Sequence, residues 1–309
     1  MTPKIPKDAI SGWLILDKPV GLSSTQAMAK VRWLFNAAKA GHGGTLDPFA
    51  TGVLPIAFGE ATKLLSYVLD GRKSYSFTVR WGEERATDDL TGEVSQTSEM
   101  RPSKTDIENC LSAFRGTISQ IPPCFSALHV NGERAYDLAR RGEEVKLEPR
   151  EVTIERIDLL ETPNADEACF EVDCTKGTYI RSLARDMGAK LGCHGHVKVL
   201  KRLKSGPFHL ESAFPLEKLE EIRQKDAGLE ELQAMLFPLG SVLDDIPALS
   251  VNEQEARKLR QGQSVMLHPS RITPHVQSAA TIGVRDFYGL VAMAEIADGV
   301  LKPLRVFKP

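Results

Sequence analysis

The sequence predicts a mixed α/β (α+β) fold with a small, mostly β module at its C-terminal end, and three observations predict it. Tyr75, Phe77, Val79 and Trp81 alternate strictly, so they share one face of a strand. Ile180, Leu183, Met187 and Leu191 recur at helical spacing ahead of Gly192, a natural helix terminator. From about Ile246 the texture shifts to one short helical stretch, NEQEARKLRQG, and short strand-like pieces separated by turn residues. The expected domains are therefore residues 1–240 and 246–309.

The remaining elements follow in chain order. Trp13–Leu16 reads as a short strand that Lys18-Pro19 and Gly21 end. Ser23 or Ser24 can cap the next segment, where Ala27, Val31, Leu34 and Phe35 fall at helical spacing. TDIENCLSAFRG is a capped helix that turns Ile107, Leu111 and Phe114 inward. Residues 121–150 mix Pro, Gly and both charge signs, and read as an inserted segment, either a substrate-gripping arm or a plain surface excursion. Phe170, Val172 and Cys174 alternate up to the break at Gly177, so Tyr179 and Arg181 stand where a strand hands over to a helix.

Bulk properties exclude some classes. The chain has 309 residues, 42% hydrophobic and 26% charged, enough for one large core or a large and a small one. No apolar run approaches the ~18 residues of a membrane span. MTPKIPKDAISGW lacks the apolar stretch of a signal peptide, so a cytoplasmic address is expected. Five scattered cysteines without a CxxC pair fit reduced thiols. CHGH at residues 193–196 has no second ligand pair nearby, and no metal is expected there. The net charge of −2 hides an uneven distribution: residues 176–205 carry eight Lys/Arg against Asp186 alone. That run, which includes Lys198, Lys201 and Lys204, reads either as a solvated face or as a surface for phosphates.

The stretch GHGGTLDPFATGVLP, residues 41–55, fits no common glycine loop. It has no G-K-[ST] for a P-loop, and Leu46 stands where the dinucleotide fingerprint needs a third glycine. What remains is one carboxylate, Asp47, biased toward extended geometry by Pro48. It reads either as an Asx-type turn or as a nucleophile or base. Glycines on one side allow close approach of a flat ligand, and the apolar ATGVLP on the other keeps water away.

GHGGTLDPFATGVLPIAFGEATKL closely resembles the signature of the TruB family of bacterial tRNA pseudouridine synthases. LILDKPVGLSS, KSYSFTVRWG, IPPCFSALHVNGERAYDLARRG and KGTYIRSLARDMGAKLGCHGHVKVLKRLKSGPF extend the resemblance in order over most of residues 12–210. The C-terminal piece resembles a PUA domain, a small RNA-binding barrel, through weaker motifs. The resemblance implies a largely antiparallel sheet with a cleft beside its centre. It also implies isomerisation of uridine to pseudouridine in the T-arm loop of tRNA, at tRNA position 55, with base flipping and neither cofactor nor metal. By motif, Asp47 is the implied nucleophile, paired with Arg181, a cation that keeps a half-buried carboxylate ionised. Tyr75 lies against the uracil, where without the motif it reads as a core-facing strand tyrosine. Tyr179 and Leu200 complete the base pocket, and His42 contacts the tRNA near the extruded base. Lys18, Lys198, Lys201 and Lys204 are implied structural or RNA contacts. The implied partner is the tRNA T-arm, with the chain acting as a monomer away from membranes. Thr25-Gln26 departs from a His-Asp-like pair common in the family, and Trp81 from a smaller aliphatic. A non-catalytic tRNA-binding or RNA-folding protein on the same scaffold is the competing reading.

Overall fold

The computed structural model of the chain describes residues 8–126, 128–130, 132–143, 145–243 and 246–308. Ten strands form one large sheet: β1 (Gly12–Lys18), β2 (Ala40–His42), β3 (Thr51–Phe58), β4 (Lys73–Trp81), β5 (Gly116–Gln120), β6 (Arg150–Asn164), β7 (Glu167–Cys174), β8 (Gly195–Ser205), β9 (Phe208–His209) and β10 (Phe214–Pro215). The spatial order is β10-β1-β3-β8-β4-β7-β6-β5, with β2 edging β3 and β9 edging β8. Only β1/β10 and β3/β8 pair in parallel, so the sheet is mixed and largely antiparallel. Four helices matter for its packing: α1 (Ser24–Leu34), α2 (Lys104–Leu111), α3 (Ile180–Leu191) and α4 (Leu216–Arg223).

Local chemistry explains the helix boundaries. Ser23 and Gln26 close a reciprocal capping box ahead of α1, and Ser103 and Asp106 do the same for α2. Gln26, at one of the departures from the family pattern, thus has a structural task. Gly192 ends α3 in the left-handed region at φ 72°. Trp81 is 1% exposed and packs edge-on against Phe170, so the larger side chain is absorbed in the core. The segment expected as an insertion holds a two-strand hairpin, residues 129–130 and 133–134, followed by a short helix at Ala135–Arg140.

The strand β1 is buried on both faces. Leu14 and Leu16 join the main core, where α1, α2, α3 and α4 cover the sheet with Val31, Ile107, Leu183 and Leu219. Trp13 and Ile15 face the other way and enter a second core with Val53, Ala57, Val68, Phe208 and, from the C-terminal module, Met293 and Phe307. That module has its own five-stranded sheet: β11 (Ala248–Ser250), β12 (Val265–Met266), β13 (Ile282–Asp286), β14 (Gly289–Ala297) and β15 (Val300–Val306), in the order β11-β13-β14-β15-β12. One helix, α5 (Glu253–Arg260), packs on it around Ala256 and Leu259. The texture change near Ile246 marks a real change of sheet, but the module shares a core with the larger domain. Among the described residues no helix is long and apolar enough to cross a membrane.

Candidate active site

The glycine-rich loop between β2 and β3 is fastened by its backbone from several sides, none of which engages the Asp47 side chain. Ser24 Oγ, in the first turn of α1, accepts from Leu46 N at 2.7 Å and donates to Leu46 O at 3.1 Å. Gly21 N donates to Pro48 O at 2.8 Å. Lys18 Nζ donates to Pro19 O, Leu22 O and Pro48 O at 2.8, 2.7 and 3.3 Å. Arg202 reaches in from β8: Nε donates to Val53 O at 2.8 Å, Nη2 to Gly44 O at 3.1 Å and Nη1 to Thr45 O at 3.4 Å. Gly52 makes this possible. It lies at φ 98°, and a Cβ there would come within 2.2 Å of Arg202 O.

Asp47 meets Arg181, which the first turn of α3 projects toward it. Arg181 Nε lies 2.9 Å from Asp47 Oδ2, and Nη2 donates to Asp47 Oδ1 at 3.1 Å. The two differ in access: the Asp47 side chain is 32% exposed and that of Arg181 only 4%. The guanidinium is held by further acceptors, Thr87 O at 3.0 Å and Phe125 O at 2.8 Å, with Asp89 Oδ2 at 3.6 Å. Burial pushes the Asp47 carboxyl above its ordinary value; Arg181 opposes that rise and the Asp89 carboxylate adds to it. This corrects the expectation that the cation sets the balance: Arg181 limits the rise without reversing it.

Of the other expected residues, Lys18, Tyr75 and Tyr179 lie within electrostatic reach of Asp47. Tyr75, on β4, lies in register with Arg202 on β8 and Val172 on β7. Burial pushes its pKa above the ordinary value, and the Arg202 charge opposes the rise. His42, at the end of β2, has a buried Nδ1 without a hydrogen-bond partner, and burial followed by the Arg202 charge lowers its pKa, favouring the neutral imidazole. Tyr179 is the residue before α3, clamped by Gln120, which accepts from its N at 2.8 Å and donates to its O at 3.0 Å. Leu200 is 5% exposed on β8, opposite Phe77. Of the two roles expected for Lys18, its position suits the structural one: it is wholly buried with its ammonium spent on backbone carbonyls, and burial lowers its pKa to about 8.

The basic run is largely neutralised where it lies. Lys198 pairs with Glu167 at 2.5 Å, Lys201 with Asp17 at 3.8 Å, Lys176 with Asp70 at 2.7 Å and Arg185 with Asp88 at 3.0 Å. Lys204 bonds across the β8–β9 ladder to His209 through its backbone and lies near Asp173. In CHGH, His196 Nδ1 lies 3.1 Å from Glu83 O and His194 Nδ1 3.4 Å from Glu84 Oε2.

Two contributions escaped sequence reasoning. Arg202 is 1% exposed, and one-dimensional charge counting put it in a basic surface run. Asp88 and Asp89 sit in ATDDLTG, which reads as an ordinary turn. Asp89 accepts from Thr87 Oγ1, Thr91 N and Thr91 Oγ1 at 2.7, 2.9 and 2.6 Å, while Asp88, raised to about 6 by burial, faces Arg185. The positive φ of Asp88, 58°, is a signal that only the backbone reveals.

Residues 32–180 match the family model of the TruB family pseudouridylate synthase N-terminal domain, and residues 181–244 that of the tRNA pseudouridylate synthase B C-terminal domain. The tRNA pseudouridine synthase B of Agrobacterium fabrum is 51% identical over 303 residues, covering 96% of this chain and 95% of its own. That of Rhizobium johnstonii is 50% identical over 309 residues, covering 99% of each. Among solved structures, a Cbf5-Nop10-Gar1 complex matches with a TM-score of 0.72 at 25% identity, over 96% of this chain and 85% of the other. An H/ACA RNP bound to a substrate RNA containing 2'-deoxyuridine matches with a TM-score of 0.71 at 24% identity, over the same shares. Between an enzyme and a non-catalytic binder these relatives favour the enzyme, and the chain belongs to the TruB family of pseudouridine synthases.

Proposed function

We propose that this chain isomerises uridine to pseudouridine in the T-arm loop of tRNA, at tRNA position 55, with Asp47 as the nucleophile. The observation that carries the assignment is the Asp47–Arg181 pair: an accessible carboxylate, 32% exposed, anchored to a cation that is itself buried at 4%. Such a pair holds one anionic oxygen pair in a fixed place while leaving it open to a nucleotide. In the reaction the N1–C1′ bond breaks, the uracil turns, C5 bonds to C1′, and the proton that C5 loses is balanced by one that N1 gains. Tyr75 lies against the uracil and its hydroxyl takes part in that proton's removal. Tyr179 and Leu200 bound the base, and the neutral His42 imidazole contacts the RNA beside the extruded nucleotide. The tRNA substrate is supported by the names of the relatives at about 50% identity. The C-terminal module acts as a PUA-like RNA-binding unit, and the chain works as a monomer.

The test is incubation with an unmodified tRNA transcript, scoring carbodiimide-resistant uridine adducts nucleotide by nucleotide. One adduct at tRNA position 55, absent with Asp47→Asn although that variant still binds tRNA, is the expected result. Modification elsewhere, or full turnover by Asp47→Asn, overturns the site or the nucleophile respectively.

A further inference from the structure

The C-terminal module carries a feature that the proposed chemistry does not use. The turn between β13 and β14 exposes two adjacent aromatic side chains. Phe287 is 95% exposed and Tyr288 84%, more than any other large hydrophobic among the described residues. Their rings meet edge to face at 90°, with centroids 5.3 Å apart.

The turn beneath them is built. Asp286 Oδ1 accepts from Tyr288 N at 2.8 Å and Gly289 N at 3.0 Å. Its Oδ2 pairs with Arg260 of α5 at 2.7 Å, and the Asp286 side chain is only 6% exposed. One carboxylate thus fixes the turn to a helix, and the rings above it project from a rigid support. That lowers the conformational entropy lost when a ligand lands on them.

Charge indicates the ligand. The Asp286 carboxylate is consumed inside the turn, so it does not repel an anion. Arg285, one residue earlier, has a buried Nε without a hydrogen-bond partner and makes no ion pair among the described residues. Residues 246–308 hold eight Lys/Arg against five Asp/Glu, in a chain whose net charge is −2. The module is therefore the positive part of a negative chain. Paired aromatic faces on a module of net positive charge suit a ligand with flat bases on an anionic backbone. A protein partner would call for an apolar surface wider than two rings flanked by Asp286 and Gly289.

We propose that Phe287 and Tyr288 form a stacking platform for unpaired nucleobases of the RNA substrate, with Arg285 at the adjoining phosphate. The proposal rests on the reading of this module as RNA-binding and adds where and how it grips. It is tested on the full chain with an unmodified tRNA transcript. Phe287→Ala/Tyr288→Ala is expected to weaken binding by about 5–150-fold for each base stacked, with the single-turnover rate at saturating protein unchanged. Phe287→Leu/Tyr288→Leu, apolar without rings, should lose as much, whereas Phe287→Trp/Tyr288→Trp should keep wild-type affinity. Arg285→Gln should lower the log–log salt slope by roughly one unit. Wild-type affinity in the Ala pair, or full recovery in the Leu pair, overturns the platform; the latter points to general apolar contact with protein or lipid. Binding is read separately from turnover, so a wild-type chain that binds tRNA without modifying it would defeat the proposed function and leave this test standing.

Discussion

Arg181 Nε lies 2.9 Å from Asp47 Oδ2, yet the Asp47 carboxyl is held above its ordinary pKa. The two statements are compatible because burial outweighs the pair, with Asp89 adding a second negative charge nearby. Arg181 therefore works against a rise that the site itself creates. Its own place is secured by Thr87 O and Phe125 O, so the cation does not follow the carboxylate if that moves.

Arg181→Met should shift the acid limb of the pH–rate profile to higher pH. Removing the cation removes the main influence lowering the Asp47 pKa, so the ionised nucleophile is populated only at higher pH. The sign for stability follows the same shift. A raised folded pKa means the folded state binds the proton more tightly, so this group favours folding as pH falls through that value and disfavours it above. Single-turnover rates from acid to neutral pH read the limb directly. An unmoved limb would separate Asp47's ionisation from Arg181.

Gly52→Ala should destabilise the chain far more than Gly116→Ala. Both glycines have positive φ, 98° and 83°, so both substitutions carry the ~1–2 kcal/mol of a left-handed L-residue. At Gly116 nothing lies within 4 Å of the new Cβ, whereas at Gly52 it meets Arg202 O at 2.2 Å and Arg202 N at 2.8 Å. Those are backbone atoms, so β3 and β8 must part, which adds roughly 1–3 kcal/mol or more. Thermal midpoints of the two variants measure the difference. Equal midpoints would show that the β3–β8 approach tolerates a methyl group.

What was legible in the sequence was local. The alternation from Tyr75 to Trp81 and the helical run ending at Gly192 use one period each, and both elements stand in the structure. The Asp47 loop was legible because glycine and proline restrict it within a few residues. Arg202 was not, because its partners Val53, Gly44 and Thr45 lie about 150 residues away and only β3–β8 pairing brings them together. The shared core escaped for a related reason. Trp13, Leu14, Ile15 and Leu16 form a continuous apolar run, a sign of burial on both faces, but the run does not say that Met293 and Phe307 supply the second cover.

Removing residues 246–309 should therefore lower the thermal midpoint of what remains as well as its affinity for tRNA. The cut strips Met293 and Phe307, 2% and 1% exposed, from Trp13 and Ile15. Burial of two such side chains contributes on the order of 3–6 kcal/mol. The seam also loses Lys63 Nζ to Val306 O at 2.8 Å, Arg305 Nη1 to Lys63 O at 2.9 Å and Lys308 N to Glu60 Oε2 at 2.9 Å. Calorimetry of the shortened chain decides the point. An unchanged midpoint would mean that the larger domain is stable without this cover.

Tyr75→Phe should separate packing from proton transfer. Tyr75 lies between β7 and β8, in register with Val172 and Arg202, so a phenylalanine ring keeps the neighbours and only the hydroxyl is lost. Arg202 retains Val53 O, Gly44 O and Thr45 O, so the loop that carries Asp47 should hold its place. What changes is the oxygen that Arg202 faces. Burial raises its pKa and the Arg202 charge opposes the rise, so the hydroxyl gives up its own proton more readily than a buried phenol without that cation. If that oxygen helps remove the C5 proton after the uracil has turned, the single-turnover rate should fall by the ~10²–10⁴-fold of general acid–base catalysis. Affinity for tRNA should stay close to wild type, because the aromatic face against the uracil survives. Near-wild-type turnover by the variant would leave Tyr75 as a stacking surface and move the proton to another acceptor.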